Sequence, residues 1–217
     1  MCIRDSAARE VLKYGEVKRI DLVDLDPEIT TIFTEQPQLA ALNGGSLSDP
    51  RVHIHNDDAL RFLELADRRW DVIIMDLPDP NDPALSRLYS VAAFSLVRQR
   101  LHDGGAVVTQ ATSPYYAPEA FWCIAATVEE ALSLHNTTVS PYHALVPSFG
   151  EWGFVLANHS GPAPLADVPL RFLTESTYQA MFDFPADLQE RPVEVNHLAD
   201  AILARYYRDG WMRIQAP

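Results

Sequence analysis

DVIIMDLPDPNDPALSRLY, residues Asp71 to Tyr89, joins an apolar run to an acidic loop stiffened by prolines. Val72-Ile73-Ile74-Met75 is short and rich in β-branched residues, the pattern of a strand buried on both faces in a parallel sheet. The run stops at Asp76. Pro78, Pro80 and Pro83 then remove backbone donors and hold the chain out of further pairing or an immediate helix. Asp76 and Asp79 are therefore expected on a stiff loop at the carboxyl end of a core strand, the edge where open α/β sheets bind ligands. Two carboxylates so spaced, aimed into one crevice, suit a cationic substrate or a proton transfer. Asp76 would also suit a helix cap or a solvated turn, since Asp-Pro turns are common, so the surroundings must decide.

The 217 residues suffice for one α/β domain, and 47% hydrophobic with 22% charged residues is ordinary for a globular protein. Seventeen basic against 30 acidic residues give a net charge of −13. That balance argues against a nucleic-acid binder, which needs a basic face, and is compatible with a cationic small molecule. Cys2 and Cys123 are the only cysteines, too few for a disulfide framework, and imply a reducing, cytoplasmic setting. No apolar stretch approaches the roughly 20 residues of a membrane span, and the start has no signal-peptide pattern.

Outward from the opening stretch, strands and helices alternate. A helical pattern from Ala7 (Ala7, Ala8, Val11, Leu12 inward) precedes a strand over 17–23 that ends in Asp24-Leu25-Asp26-Pro27. An acid at such a tip commonly accepts from ribose hydroxyls, whereas Asp26 before Pro27 reads as a helix cap; Asp24 for the ribose and Asp26 for the cap satisfies both. Asn43-Gly44-Gly45 lacks the spacing and the preceding strand of a phosphate loop. Strand 52–55 leads to Asn56-Asp57-Asp58 and a helix from Ala59. His53 and His55 share a strand face, a spacing compatible with metal, but a third ligand is not evident and no metal is expected. After the opening stretch come a helix over 86–100, a turn at 102–105, a strand 106–110 ending in Gln110, a long helix from Pro118 to Leu132, and an antiparallel hairpin turning at Pro147–Gly150. Helices follow near Tyr178 and over 196–207. The expected fold is α/β: a doubly wound, mostly parallel sheet with a C-terminal antiparallel hairpin. Asp24, Asp58 and Asp76 end three successive strands. Together they suit an adenosine-containing, positively charged ligand: Asp24 at the ribose, Asp58 at the adenine amine, Asp76 beside the reacting end.

VDLDP, NDDAL, DVIIMDLPDP followed by Pro83 and Leu88-Tyr89, GGAVVTQ and VPSFGEWGF, in this order, resemble the spermidine synthases, or polyamine aminopropyltransferases, from about Ala7 to Ala157. The VPSFGEWGF form and the tail look most like bacterial members with membrane segments ahead of the enzyme domain. The resemblance implies the fold of S-adenosylmethionine-dependent methyltransferases. It also implies aminopropyl transfer from decarboxylated S-adenosylmethionine, a co-substrate and not a prosthetic group, to putrescine or a related amine. Asp76 would be the proton acceptor, and Asp76, Asp79 and Gln110 would hold the amine beside Tyr89, Phe149 and Trp152. Asp24, Leu25, Asp58, Ala59, Leu77 and Pro83 would hold the nucleoside. Phe149 stands where many members carry a tyrosine, so that hydrogen bond is absent. A homodimer is left open, because the family's dimers lean on a region ahead of this domain.

The start departs from the family pattern. A Gly-Gly-Gly-Asp-Gly loop should place its acid at Arg4 and glycines at Ile3 and Asp5, and none match. Residues 1–6 therefore read as foreign sequence, 7–158 as the enzyme domain lacking its first, central strand, and 159–217 as a helical extension packed on it. Such a chain is expected to be impaired in turnover. A methyltransferase of the same fold and a non-catalytic polyamine-binding module remain alternatives; the Asp76/Asp79 pair has no obvious task in methylating a neutral acceptor.

Overall fold

The computed structural model describes residues 4–132 and 137–215, in two compact units. Expectations for Met1 to Ile3 lie outside the described residues.

The first unit holds the residues up to Ala66 together with Ala166–Arg171. Its elements are α1 (Arg4–Val11), β1 (Ile20–Val23), α2 (Pro27–Glu35), α3 (Pro37–Leu42), β2 (Val52–His55) and α4 (Ala59–Leu65). β1 and β2 pair in parallel, from Ile20 opposite Val52 to Val23 opposite His55, so their carboxyl ends share an edge. β1 begins at Ile20 rather than Val17, because the Val17 amide is turned back onto the Tyr14 carbonyl at 3.2 Å. Pro27 starts α2 with its φ pre-set for a helix, and the Asp26 side chain takes the orphan amides of Glu28 and Ile29. The short α3 was not expected. After it, buried Asn43 donates to the Phe33 carbonyl at 3.0 Å and accepts from the Ser46 amide at 3.2 Å. Gly44 and Gly45, at φ +66° and +72°, supply the left-handed turn this clamp needs, so Gly-Gly here serves the backbone.

The second unit holds Asp67–Leu165 and the chain from Phe172. It contains β3 (Trp70–Met75), α5 (Pro83–Ser86), a 3₁₀ turn (Arg87–Tyr89), α6 (Val91–Arg100), β4 (Leu101–Gln110), α7 (Pro118–Leu132), β5 (Thr138–Val146), β6 (Gly150–Asn158), α8 (Glu175–Ala180) and α9 (Ile202–Gln215). The strand order is β3-β4-β6-β5, with β3 and β4 parallel and β6 antiparallel to both its neighbours. The expected hairpin is therefore present, turning at Gly150 with φ +79°. α7 is buried along most of its length, packing on α6, α9 and the hairpin. Phe94 and Val97 of α6, Phe121, Ile124 and Val128 of α7, Val107 and Val155 of the sheet and Leu203 of α9 are buried as the core. Each such side chain removed from water contributes about 1.5–3 kcal/mol. Gly153 is fixed by contact: a Cβ there would meet the Phe121 ring at 2.4 Å.

Four expectations need correction. β3 is not buried on both faces: Met75 packs inward, but Val72 and Ile74 are 56% and 48% exposed. The helix expected over 86–100 is broken, because Ser86 and Asn196 tie the 86–89 segment down and Ser90 recaps α6 through the Ala93 amide. The turn expected at 102–105 belongs to β4, whose register shifts against β3 between Trp70 and Val72. The last helix starts at Ile202, not Asn196.

Asn196 is instead a buried hub. It donates to the carbonyls of Ser86 (2.9 Å) and Tyr89 (3.2 Å), and its amide donates to Thr127 Oγ1 (2.9 Å). Among the described residues no helix is long and apolar enough to cross a membrane.

Candidate active site

In the second unit the site grows from the parallel pair β3 and β4. Met75 lies opposite Thr109, so Asp76 leaves β3 where Gln110 ends β4. The proline loop then carries Asp79, which is half-buried. Two side chains hold it: Tyr207 of α9 donates from its hydroxyl to Asp79 Oδ2 at 2.9 Å, and Gln110 Nε2 donates to Oδ1 at 3.3 Å. Burial pushes the Asp79 carboxyl above its ordinary value, and the bonds from Tyr207 and Gln110 pull it back. The Tyr207 phenol is raised, first by burial and then by the Asp79 charge, so it stays a donor.

Gln110 is fully engaged. Oε1 accepts from the Thr112 amide (2.8 Å) and from Trp152 Nε1 (3.2 Å), which fixes the amide orientation. Nε2 also donates to the Leu77 carbonyl (2.9 Å) and contacts the Tyr89 hydroxyl. Tyr89 is 0% exposed, and its hydroxyl donates to the Pro78 carbonyl at 2.9 Å. Its phenol is raised well above the usual value by burial. Tyr89 is thus buried and braces the acidic loop through the loop's backbone carbonyls. Trp152 sits on β6 beside Gln110, and Phe149 at the hairpin turn packs on it, ring centres 5.1 Å apart, while remaining 42% exposed. Thr112, just past β4, is buried at φ +59°, a costly conformation for a β-branched residue. Its amide serves Gln110 and its carbonyl takes the Gly153 amide at 2.6 Å, so the strain holds Gln110 in place. Pro83 is exposed at the first turn of α5, whose cap is Asp82 through the Leu85 amide.

In the first unit, Asp24 and Asp58 follow the carboxyl ends of the adjacent strands β1 and β2. Asp24 is 5% exposed and accepts from the Asp26 amide at 2.9 Å. Its own amide and carbonyl are tied to the β2 end, to the His55 carbonyl and Asn56 Nδ2. Asp58 caps α4 through Oδ1, which takes the Leu60 and Arg61 amides, both at 3.0 Å. Leu25 is exposed beside Asp24 and Ala59 opens α4. His55 pairs with Asp21 at 2.8 Å and packs on Phe62, and the described residues contain no cluster of three metal-binding side chains.

Sequence reasoning missed Tyr207, Thr112 and Asn196. Only Tyr207 left a trace: Tyr206-Tyr207 followed by Gly210 within a helical pattern.

Residues 5–167 match the spermine/spermidine synthase domain. The chain is 44% identical over 209 residues to polyamine aminopropyltransferase 2 of Ralstonia nicotianae, covering 94% of this chain and 40% of that protein. It is 40% identical over 210 residues to the polyamine aminopropyltransferase of Leptospira interrogans, covering 96% and 41%. The chain thus spans about two fifths of the length of these curated relatives. Spermidine synthase from Thermotoga maritima superposes with a TM-score of 0.70 at 20% identity, over 84% of this chain and 62% of that one. A spermidine synthase in complex with the transition-state analogue AdoDATO gives 0.69 at 17% identity, with the same coverage. These likenesses establish the methyltransferase-like α/β fold that the motifs implied. By its sequence across most of its length, the chain belongs to the spermine/spermidine synthase family.

Proposed function

We propose that the chain transfers an aminopropyl group from decarboxylated S-adenosylmethionine to putrescine or a related amine, giving spermidine and methylthioadenosine. One observation carries this reading: a half-buried carboxylate, Asp79, fixed by Gln110 and Tyr207 on the same loop as Asp76. Asp79 receives the distal ammonium of the diamine. Asp76 takes the proton from the attacking amine, whose lone pair forms the new C–N bond. The C–S bond breaks, and its electron pair neutralises the sulfonium. Positioning of this kind contributes several kcal/mol to such a displacement. Trp152 and Phe149 flank the methylene chain, and Gln110 and Tyr89 act by holding the acids. Leu77, on the same loop, and Pro83, at the start of α5, meet the nucleoside. In the first unit Asp24 accepts from the ribose, with Leu25 beside it, and the second oxygen of Asp58 takes the adenine amine next to Ala59. The net charge of −13 favours a polycationic partner.

We read turnover of this chain as impaired, because among the described residues β1 and β3 are each paired on one side only and β3 leaves Val72 and Ile74 exposed. The cytoplasm, where thiols stay reduced, is the setting we assign.

Calorimetric titration with decarboxylated and with intact S-adenosylmethionine tests the reaction class independently of turnover. Tighter binding of the decarboxylated form, with putrescine binding lost in Asp79→Asn, is expected. Preference for intact S-adenosylmethionine would turn the reading to a methyltransferase. Aminopropyl transfer at the rate of full-length relatives would overturn the impairment alone.

A further inference from the structure

Tyr207 lies on the last helix, 128 residues from Asp79, yet its hydroxyl is 2.9 Å from Asp79 Oδ2. That placement is built. At Gly210 the helix backbone runs so close to the start of α7 that a Cβ would sit 2.7 Å from Ala117 Cα and 2.8 Å from the Tyr116 carbonyl. Trp211 packs on Tyr116, ring centres 4.8 Å apart, and on Tyr207 at 6.0 Å. Arg213 and Arg191 both bond Glu119 Oε1, at 2.9 and 3.3 Å. A close backbone approach, a ring stack and a bridging carboxylate thus set the rotation of α9 so that Tyr207 faces the loop.

We propose that Tyr207 is a positioning and specificity residue: α9 presents its phenol to Asp79 Oδ2, so that the carboxylate meets an incoming ammonium with that oxygen already engaged and its plane fixed. The inference rests on the reading of Asp79 as an amine-binding group. It goes beyond that reading by assigning control of the carboxylate to the last helix. Gln110 Nε2 shares Oδ1. Each carboxylate oxygen therefore already accepts one bond from the protein, which fixes the carboxylate plane and leaves less of either oxygen for the amine. An ammonium that needs both oxygens, or a planar guanidinium seeking a two-pronged contact, is disfavoured against a simple primary amine. The second consequence is protonation. Burial raises the Asp79 carboxyl, and the phenol bond counters it, keeping the anion available to lower pH than the burial alone would allow. The titratable groups that face Asp79 are Tyr207 and Tyr89, with Asp76 on the same loop.

The test follows the Asp79 carboxyl carbon by NMR through a pH titration of the whole chain, with Asp79→Asn for assignment. In the unsubstituted chain the Tyr207 Cζ must report the same midpoint as the Asp79 carboxyl. Tyr207→Phe is expected to move the Asp79 midpoint upward. Gly210→Ala, which changes no side chain of the network but forces α9, and Tyr207 with it, away from Ala117, is expected to move it in the same direction. Calorimetry with 1,4-diaminobutane should show binding weakened roughly tenfold in Tyr207→Phe below the shifted midpoint, where the Asp79 carboxyl has taken up a proton and lost its charge. The preference for 1,4-diaminobutane over agmatine should narrow. Independent midpoints for Tyr207 and Asp79, or an Asp79 midpoint unmoved in Tyr207→Phe, overturn the proposal. If the midpoints move together while 1,4-diaminobutane binds neither the parent nor the variants, the control by Tyr207 stands and the amine-binding role of Asp79 falls.

Discussion

Gln110→Leu isolates what the glutamine does, because leucine nearly fills the same volume and removes every polar atom. The amide has five partners of unequal weight. The Leu77 carbonyl keeps the Tyr89 hydroxyl at 3.2 Å, and half-exposed Trp152 finds water, so these losses are small. The Thr112 amide has no substitute. It is buried, its acceptor Oε1 lies 2.8 Å away, and the residue already sits at φ +59°. An orphaned buried amide costs about 1–3 kcal/mol, and the lost bond to the Asp79 carboxylate adds about 1.5; with the amide towards the low end of its range the total is about 3 kcal/mol. In a protein of this size each kcal/mol lowers the melting temperature by about 2–4 °C, which puts the expected fall at about 6–12 °C. Differential scanning calorimetry reads the stability, and titration with putrescine at neutral pH reads the site. Binding should weaken, because Asp79 loses a bond that lowers its pKa and one of the two side chains that aim it. A melting temperature within about 2 °C of the parent would refute the claim that Gln110 holds Thr112 and the acidic loop together.

Asp26→Ala should cost about 1 kcal/mol by uncapping α2 and leave nucleoside binding intact, whereas Asp24→Ala should abolish it; equilibrium denaturation and calorimetry separate the two. Gly153→Ala should destabilise by about 1–3 kcal/mol, read by denaturant midpoint, because the new Cβ meets Phe121 at 2.4 Å and the Thr112 carbonyl at 2.9 Å. Asp79→Asn should raise the melting temperature at neutral pH while ending putrescine binding. The Asp79 pKa is raised on folding, so the folded state binds its proton more tightly and stability falls as pH rises from the unfolded towards the folded value. The stability difference between parent and variant should accordingly vanish below the ordinary carboxylate range, and a constant difference at all pH values would count against a buried, shifted Asp79.

What the sequence revealed and what it hid divide along one physical line. Signals that act within a few residues were legible: β-branched runs, Pro27 and Asp26 at a helix start, prolines that end β3, glycine at the hairpin turn. The acids could be placed at strand tips for the same reason. Burial was not legible. Val72 and Ile74 have the chemistry of a covered strand, but cover is a property of whatever packs against them, and about half of each stays exposed. Tyr207 was hidden for a related reason. Tyr206 and Tyr207 are neighbours of identical chemistry; Tyr206 reaches the Glu194 amide at 3.3 Å and Tyr207 reaches Asp79. Only the rotation of α9 distinguishes them, and Gly210 against Ala117 sets that rotation. Asn196 shows the other side of the same line. Its local pattern suits a helix start, yet its amide serves carbonyls 110 and 107 residues away, because an amide that reaches a buried loop with orphan carbonyls gains more there than at a solvated cap. A polar residue near a predicted helix start is therefore as good a candidate for a long-range clamp as for a cap, and at Asn196 the clamp fixes the segment from which Tyr89 braces the acidic loop.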